Sequence, residues 1–323
     1  MLSFVHITDL HFSATPGVYS FIGAALSERY QAGVGIVQDF FNGRHSPEIA
    51  EIAADFIQRR LGDHDCILLT GDLATRGTQS DLQTARDYVL SPSANGTTYQ
   101  TSTGRPTLSV GNRPVVLLPG NHDRFEDSKC VPGGTMFDSV FGDKWTKGPQ
   151  SVQVNAVCGL DGTTINVICA DFTLPSAQHA DPPAFFPGQG RCIEDVVREL
   201  SRVTLASRVK YPRRGIIWVS HFPPSFPNEP VGRLLELVDS HFLLDAARNC
   251  GIKYLICGHT HRQYYVDAAD IILIVGGTAC MLHSSNGNWI NSLRFEVNNG
   301  EADIVEFSSF EFSQEDKDFV YRP

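Results

Sequence analysis

The sequence predicts an α/β protein, a four-layer sandwich of two mixed β-sheets flanked by helices. Two observations carry this prediction. Up to Gly258, short runs rich in Val, Ile and Leu alternate with amphipathic segments, and beyond it strand-like segments follow one another with Asn, Gly and Asp turns between them. The first pattern is typical of strands buried on both faces, and the second of antiparallel strands. Two such regions most simply form two packed sheets with the helices outside.

The first region supplies most strands and all helices of this scheme. Its apolar runs predict buried strands over residues 4–7, 66–69, 115–118, 165–169, 215–219 and 254–257. Apolar residues at helical spacing predict helices over residues 47–61, 81–90, 193–209 and 231–249. Ser46 and Pro47 are typical of the start of the first helix, and Gly251 ends the last. The second region predicts strands over residues 264–266, 271–275, 289–297 and 304–312.

The chain is long enough for one large domain with a substantial core. Its 323 residues are 42% hydrophobic and 19% charged, which is typical of a globular protein. No repeat or low-complexity linker divides the sequence, so we expect a single domain over residues 1–323. Three irregular segments, near residues 12–45, 92–113 and 124–148, are expected to be insertions in that domain.

Charge and cysteine usage argue against several classes of partner. Lys and Arg number 26 and Asp and Glu number 36, so the formal net charge is −10, which disfavours long nucleic acids and anionic membranes. No apolar stretch is long enough to span a bilayer, and the residues after Met1 do not have the pattern of a secretory leader. The eight cysteines include no Cys-x-x-Cys pair, which favours reduced thiols in a cytoplasmic protein. A homo-oligomer is left open.

Polar side chains follow five of the apolar runs, at the point where each predicted strand ends. The carboxyl ends of strands in an open sheet share one edge, so we expect these side chains to converge although they are distant in sequence. They are Asp9, His11, Asp72, Asn121, His122, His221, His259 and His261. Two pairs are two positions apart, which puts both members on one side of an extended segment: Asp9 with His11, and His259 with His261.

The donor types indicate a pair of metal ions. Imidazole nitrogen and carboxylate oxygen together suit Mn, Fe or Zn, whereas oxygen alone suits Mg or Ca. Seven donors besides His122 are too many for one ion, but they serve two ions when one carboxylate bridges them. Two ions about 3.5–4 Å apart are a known device for phosphate-ester hydrolysis, because they ready a shared water as hydroxide. The sequence therefore predicts two divalent or mixed-valence ions, a bridging hydroxide and a small phosphate-ester substrate.

Taken in order, the motifs Asp-x-His, Gly-Asp, Gly-Asn-His-Asp, His and Gly-His-x-His resemble the signature of the calcineurin-like metallophosphoesterases. The resemblance covers residues 9–261 and implies the metallo-dependent phosphatase fold. It implies that the first ion is held by Asp9, His11, Asp72 and His261. It implies that the second ion is held by Asp72, which bridges, and by Asn121, His221 and His259. It also makes His122 the acid that contacts the phosphate.

The motif forms favour one branch of that family. Gly-Asn-His-Asp and Gly-His-Thr-His are most similar to the class III cyclic-nucleotide phosphodiesterases. In the phosphoprotein-phosphatase branch an Asp that orients the acid follows Gly-Asp, and Thr75 stands at its position here. We therefore expect a phosphodiesterase for a small or nucleotide-type diester; the alternatives are a phosphomonoesterase on the same fold and a non-catalytic metal-binding scaffold. Arg76 and Arg124 are candidate phosphate contacts, although surface salt bridges are the expected state of both.

Overall fold

The computed structural model describes residues 1–14, 44–91, 106–108, 113–125, 134–146, 151–173, 190–227, 235, 237–268, 270–282 and 286–323. The segments predicted to be insertions near residues 12–45 and 92–113 lie mostly outside these residues, whereas most of the segment near residues 124–148 is described. The insertions and the single domain therefore stay predictions. Within the described residues the protein forms two six-stranded mixed sheets with helices outside, so the predicted fold class is confirmed.

The first sheet is built around β1, the strand that ends at the first motif. Its strands, numbered in chain order, are β1 (Leu2–Ile7), β3 (Cys66–Leu69), β4 (Val115–Leu117), β14 (Trp289–Asn298), β15 (Glu301–Ser313) and β16 (Asp318–Arg322). They lie in the order β16-β15-β14-β1-β3-β4. β1, β3 and β4 are parallel, whereas β14 joins β1 antiparallel and begins a meander. The carboxyl ends of β1, β3 and β4 therefore share one edge.

The second sheet is parallel at its centre and antiparallel at both edges. Its strands are β5 (Val152–Cys158), β6 (Thr164–Ala170), β8 (Gly215–Ser220), β10 (Tyr254–Cys257), β11 (Tyr264–Ala268) and β12 (Ile271–Val275). They lie in the order β11-β12-β10-β8-β6-β5, with β6, β8, β10 and β12 parallel. Two pairs of short strands flank the sheets: β2 (Arg44–His45) with β13 (Met281–Leu282), and β7 (Gly190–Arg191) with β9 (Leu237–Val238).

Helices cover the outer faces of the sheets. They are α1 (Pro47–Arg60), α2 (Gln79–Leu90), α3 (Met136–Val140), α4 (Glu194–Lys210) and α5 (His241–Asn249). The side chain of Ser46 accepts a hydrogen bond from the Ile49 N–H at 3.3 Å, which starts α1 where the sequence predicts. Phe56 on the inner face of α1 packs against Phe310 and Phe319 of the first sheet. Among the described helices none is both long and apolar enough to cross a membrane.

Aromatic side chains hold the two sheets face to face. Phe295 of β14 makes an edge contact with Phe4 of β1 at 5.8 Å between ring centroids, and another with Tyr254 of β10 at 5.6 Å. The second sheet packs on its other side against α4 and α5, where Trp218 lies in one cluster with Leu200 and Leu243. Burying one large apolar side chain is worth about 1.5–3 kcal/mol, so these clusters fix the positions of the strand ends.

Several details of the predicted elements are wrong. Within the described residues, the helix predicted over residues 231–249 is interrupted at Leu237–Val238, which pairs with β7 as a strand, and the last helix spans His241–Asn249. β12 lies parallel to β10, which is an exception to the antiparallel pattern predicted after Gly258. β5 and β16 were not predicted, since both are edge strands with one exposed face and mixed composition.

Candidate metal centre

The predicted site residues lie together where the strands end. Asp9 follows β1 and Asp72 follows β3, while His221 follows β8 of the second sheet. The loops that carry them are joined by backbone hydrogen bonds. The Asp9 N–H donates to the Gly71 carbonyl at 3.0 Å. The His11 N–H donates to the Asp72 carbonyl at 3.0 Å. All eight predicted side chains are buried, so the structure brings residues from both sheets into one interior site.

The backbone is in the left-handed region at five of these residues. The φ angle lies between 51° and 74° at Asp9, His11, Asp72, His259 and His261. A residue with a Cβ adopts this conformation rarely, and holding it there costs about 1–3 kcal/mol. Such residues cluster at functional sites, where the surrounding structure enforces them. The strain here coincides with the predicted ligands.

Gly120 and Gly258 have no Cβ, and this leaves space for the carboxylates of Asp72 and Asp9. A Cβ on Gly120 would lie 2.1 Å from Asp72 Oδ1. A Cβ on Gly258 would lie 2.0 Å from Thr8 Oγ1 and 2.9 Å from Asp9 Oδ2. Side chains cannot approach this closely, so any other residue at either position would displace a carboxylate.

A first group of ligand atoms comes from both sheets. It consists of Asp9, His11, Asp72 and His261, with one ligand atom from each within 4.8 Å of all the others. The Nε2 atoms of His11 and His261 are 2.9 Å apart. Asp9 Oδ1 lies 3.3 Å from His261 Nε2, and Asp72 Oδ2 lies 4.0 Å from His11 Nε2.

A second group shares one residue with the first. Ligand atoms of Asp72, His221 and His259 lie within 4.8 Å of one another. His221 Nε2 is 3.4 Å from Asp72 Oδ2 and 3.0 Å from Asn121 Oδ1, so the amide oxygen of Asn121 faces the same space. Asp72 is therefore the one carboxylate that belongs to both groups.

Hydrogen bonds with backbone groups hold the ligand side chains in place. The His122 N–H donates to Asp72 Oδ1 at 2.8 Å, and the His259 N–H donates to Asp9 Oδ2 at 3.0 Å. Each carboxylate thus keeps its other oxygen for the site. His221 Nδ1–H donates to the Thr70 carbonyl at 2.7 Å, which leaves Nε2 as the ring nitrogen that faces the site.

The donor set fits a pair of cations. Imidazole nitrogens and carboxylate oxygens crowd into one buried space, and their lone pairs repel one another unless a proton or a cation lies between them. Mixed nitrogen and oxygen donors suit Mn, Fe and Zn, and the set does not discriminate among these three. Asp9, His11, Asp72 and His261 would hold one ion, and Asp72, Asn121, His221 and His259 the other.

The carboxylates of the site stay ionised despite their burial. Burial by itself raises the pKa of Asp9, but the contact with His261 and the charges of His261 and His221 outweigh it and lower the pKa to about 2. Burial opposes charge on His221 in the same way, yet the facing Asp72 carboxylate raises its pKa to about 9. Burial also raises the pKa of Asp72, but the charge of the facing His221 outweighs it and holds the pKa well below its usual value. Two ionised carboxylates in a buried site attract positive charge, which favours cation binding.

His122 lies beside the first group of ligands. Its ring meets the ring of His11 edge-on at 4.7 Å between centroids. Its Nδ1 is 2.9 Å from the backbone carbonyl of Thr75, the position where the related phosphatases have an Asp. The imidazole is therefore oriented by a peptide group and not by a carboxylate. Sequence patterns do not reveal such a partner, because every residue has a carbonyl.

Asp123, the last residue of the Gly-Asn-His-Asp motif, ties two loops together. Its carboxylate accepts hydrogen bonds from the N–H groups of Ala74 at 2.8 Å, Gly120 at 2.9 Å and Leu73 at 3.2 Å. Burial and the nearby charge of Asp72 raise the pKa of Asp123 to about 7. The motif thus provides a structural clamp as well as site residues, a role that the sequence did not assign.

The two arginines near the motifs both have carboxylate partners. Arg124 is fully buried, and its guanidinium donates to Asp171 at 2.8 Å and to Asp138 at 2.9 Å. The expected surface salt bridge of Arg124 is therefore wrong in its location, because the motif loop is covered by α3. Arg76 pairs with Asp81 at 3.2 Å and remains partly exposed, as expected.

Comparisons with known proteins address the family and the fold of this chain. The family model of the calcineurin-like phosphoesterases matches residues 2–263. Purple acid phosphatase PPD1 from yellow lupin is similar in structure, with a TM-score of 0.53 at 12% identity over 99% of this chain and 52% of that chain. GAP50 of Plasmodium, the anchor in the inner membrane complex, has a TM-score of 0.47 at 12% identity over 99% of this chain and 87% of that chain. No curated protein sequence matches this chain.

The two-sheet sandwich with helices outside is the metallo-dependent phosphatase fold, and buried Asp and His side chains lie near its strand ends. The match over residues 2–263 shows that this chain belongs to the calcineurin-like phosphoesterase family. The likeness to the lupin enzyme shows a shared fold, and this chain spans about half the length of that protein.

Proposed function

We propose that this protein hydrolyses small or nucleotide-type phosphodiesters with two metal ions. The observation that carries the proposal is that Asp72 belongs to two adjacent groups of buried ligands. When bound, two such ions lower the pKa of water to give a nucleophile at neutral pH and neutralise the charge of the phosphate. Mn, Fe and Zn all suit the donors, and the free thiols of the described cysteines suit the reducing cytoplasm.

The residues of this chain have distinct roles in the proposed reaction. The seven ligands, Asp9, His11, Asp72, Asn121, His221, His259 and His261, fix where the phosphate can bind. His122 gives a proton to the oxygen of the leaving alcohol, which would otherwise depart as an unfavourable alkoxide. A positioned acid of this kind contributes about 10²–10⁴-fold to the rate.

The charges near the site favour a diester over a monoester. A phosphomonoester is largely a dianion at neutral pH, whereas a diester carries one negative charge. Arg124 is held by two carboxylates and Arg76 by another, so neither adds positive charge for a dianion. The motif forms, which resemble the class III cyclic-nucleotide phosphodiesterases, support the same choice.

A comparison of two chromogenic substrates tests the proposal. The protein is reconstituted with Mn²⁺, its metal content is measured, and kcat/KM is determined for bis-p-nitrophenyl phosphate and for p-nitrophenyl phosphate. We expect the diester to be preferred by about tenfold or more. A tenfold preference for the monoester would reject the diesterase in favour of the phosphomonoesterase. No turnover of either ester with two ions bound would favour the non-catalytic scaffold. A screen of cyclic nucleotides, dinucleotides and phospholipid head groups then identifies the diester.

A further inference from the structure

Within the described part of the chain, the His122 ring is oriented by a hydrogen bond to the backbone of Thr75. The distance from His122 Nδ1 to the Thr75 carbonyl oxygen is 2.9 Å. A carbonyl oxygen can only accept, so Nδ1 must carry the hydrogen, and the neutral ring has its lone pair on Nε2. Nε2 is therefore the nitrogen that can exchange a proton with a substrate. The ring is packed edge-on against His11 and lies 4.9 Å from the Phe125 ring, which limits its rotation.

Thr75 is itself fixed to the loop that carries the first ligands. Its hydroxyl donates to the His11 carbonyl at 2.7 Å, and its N–H donates to the Phe12 carbonyl at 2.8 Å. The Thr75 side chain is buried. The carbonyl that holds His122 and the hydroxyl that holds His11 belong to one residue. Any shift of Thr75 relative to the ligand loop therefore moves His122 relative to the ligands.

The neighbouring peptide groups tie this segment to both loops. The Asp72 carbonyl accepts from the His11 N–H at 3.0 Å, and the Leu73 carbonyl accepts from the Phe12 N–H at 2.9 Å. Asp123 holds the N–H groups of Leu73 and Ala74. Gly77 donates its N–H to the Phe125 carbonyl at 2.8 Å. These last bonds fix the segment of residues 73–77 to the Gly-Asn-His-Asp turn. On the side of His11, the hydrogen bond from the Thr75 hydroxyl fixes the same segment.

We propose that Thr75 is the positioning residue of His122, in place of the carboxylate that related phosphatases use. This inference rests on the proposed function for its catalytic meaning. Protonated His122 keeps its Nδ1–H on the Thr75 carbonyl and transfers the Nε2 proton to the leaving oxygen. The P–O bond breaks, its electron pair stays on that oxygen, an O–H bond forms, and the imidazole becomes neutral. A neutral carbonyl partner orients the ring without drawing the proton to itself, as a carboxylate can.

Two variants separate the hydroxyl from the shape of the side chain. Thr75→Val keeps the shape and loses the hydroxyl, whereas Thr75→Ser keeps the hydroxyl and serves as the matched control. With a diester whose leaving group is an alcohol, such as a cyclic nucleotide, we expect kcat of Thr75→Val to fall about tenfold or more. With bis-p-nitrophenyl phosphate, whose leaving group needs no proton, the change stays below about threefold. Thr75→Ser restores both rates. Equal losses on both substrates would overturn the proposal.

A double-mutant cycle links the effect to His122. In a His122→Asn background no acid remains to be positioned, so we expect Thr75→Val to have no further effect on the alcohol-leaving substrate. A tenfold loss that persists in this background would show that Thr75 acts on the ligands and not through His122. Metal content is measured for each variant and is expected to match that of the wild-type protein.

An NMR experiment tests the positioning without relying on activity. The ring ¹⁵N signals of His122 are assigned by comparison with His122→Asn and recorded at a pH at which the ring is neutral, where we expect the hydrogen on Nδ1 and the lone pair on Nε2. Thr75→Val should give a mixture of tautomers, and Thr75→Ser the wild-type signals. A wild-type ring protonated at Nε2 would overturn the inference even if Thr75→Val failed to fold. Absence of hydrolysis together with the expected tautomer would reject the proposed function and leave the Thr75 contact standing.

Discussion

Asp72 is the residue on which both candidate ions depend. Its Oδ2 faces His11 in one group of ligands and His221 in the other. We expect Asp72→Ala to retain less than about a tenth of the wild-type metal, because neither group keeps its shared carboxylate. His259→Ala should lose one ion and keep the other. Metal analysis after dialysis measures both.

The exposed carboxylate of Asp55 provides the control for Asp72. It lies on α1, away from the strand ends, and pairs with Arg59. Asp55→Ala should leave the metal content unchanged. Two full equivalents of metal in Asp72→Ala would show that the ligand groups do not bind ions as assigned.

His122 differs from its neighbours because it belongs to neither group of ligand atoms. We expect His122→Ala to bind two ions as the wild-type protein does while kcat falls by about 10²–10⁴-fold. Initial rates on an alcohol-leaving diester, at equal metal content, measure this. Loss of metal in His122→Ala would make it a ligand, and unchanged kcat would remove it from the reaction.

At the scale of elements, Arg124 forms an ion triad with Asp171 and Asp138. The triad joins the turn after His122 to the end of β6 and to α3. We expect Arg124→Met to lower the free energy of unfolding by about 3–5 kcal/mol, because it leaves the carboxylate of Asp171 charged, buried and without its cation. Urea denaturation of the metal-free protein measures the change. Arg198 on α4 forms ion pairs on an exposed surface, so Arg198→Met should leave the free energy of unfolding nearly unchanged. Equal losses in the two variants would contradict a buried triad.

The sequence predicts the strands that are buried on both faces but does not predict every strand at the edges of the sheets. The run Cys66–Leu69 is apolar throughout and is a strand with the predicted bounds. β5, with the sequence VQVNAVC, packs on one face only and has no continuous apolar run. Leu237–Val238 lies inside a segment whose pattern predicts a helix, yet it is a strand that pairs with β7. Pairing partners distant in sequence decide such cases, and a local pattern does not contain them.

The candidate site, too, could be predicted from the sequence only in part. Asp9 and Asp72 could be predicted, because each follows directly on a buried strand and its residue type matches a ligand. The partner of His122 could not, since it is a backbone carbonyl of Thr75. The burial of Arg124 could not either, because it depends on Asp171, which follows another strand.

At the scale of the whole molecule, the candidate site lies across both sheets. Asp9 and Asp72 follow strands of the first sheet, and His221, His259 and His261 follow strands of the second. Neither sheet alone supplies either group of ligands. The site therefore forms only when the sandwich is assembled, and the packing of Phe295 between Phe4 and Tyr254 contributes to the geometry of the ligands.

The stability of the whole protein should depend on pH through His6. This residue lies in β1 at the centre of the first sheet, where Nε2 is 3.0 Å from Thr70 Oγ1 and Nδ1 is 3.5 Å from the Asn291 amide. Burial lowers the pKa of His6 from 6.5 to about 4, although the charge of Asp9 acts in the opposite direction. The unfolded chain therefore binds a proton at His6 more readily than the folded protein does. The contribution of neutral His6 is fully present above pH 6.5 and is lost as the pH falls towards 4.

Between pH 7 and pH 5 this linkage amounts to about 2 kcal/mol of unfolding free energy. His6→Gln has a side chain that can form a hydrogen bond to Thr70 but does not titrate. Its free energy of unfolding should therefore fall by about 2 kcal/mol less than that of the wild-type protein over that interval. Urea denaturation of both metal-free proteins at the two pH values measures the difference, and the other histidines cancel because both proteins contain them. Equal losses would place the folded-state pKa of His6 near that of the unfolded chain. A cation at Asp9 would offset the charge that raises the pKa of His6, so metal binding should strengthen the effect and leave its sign unchanged.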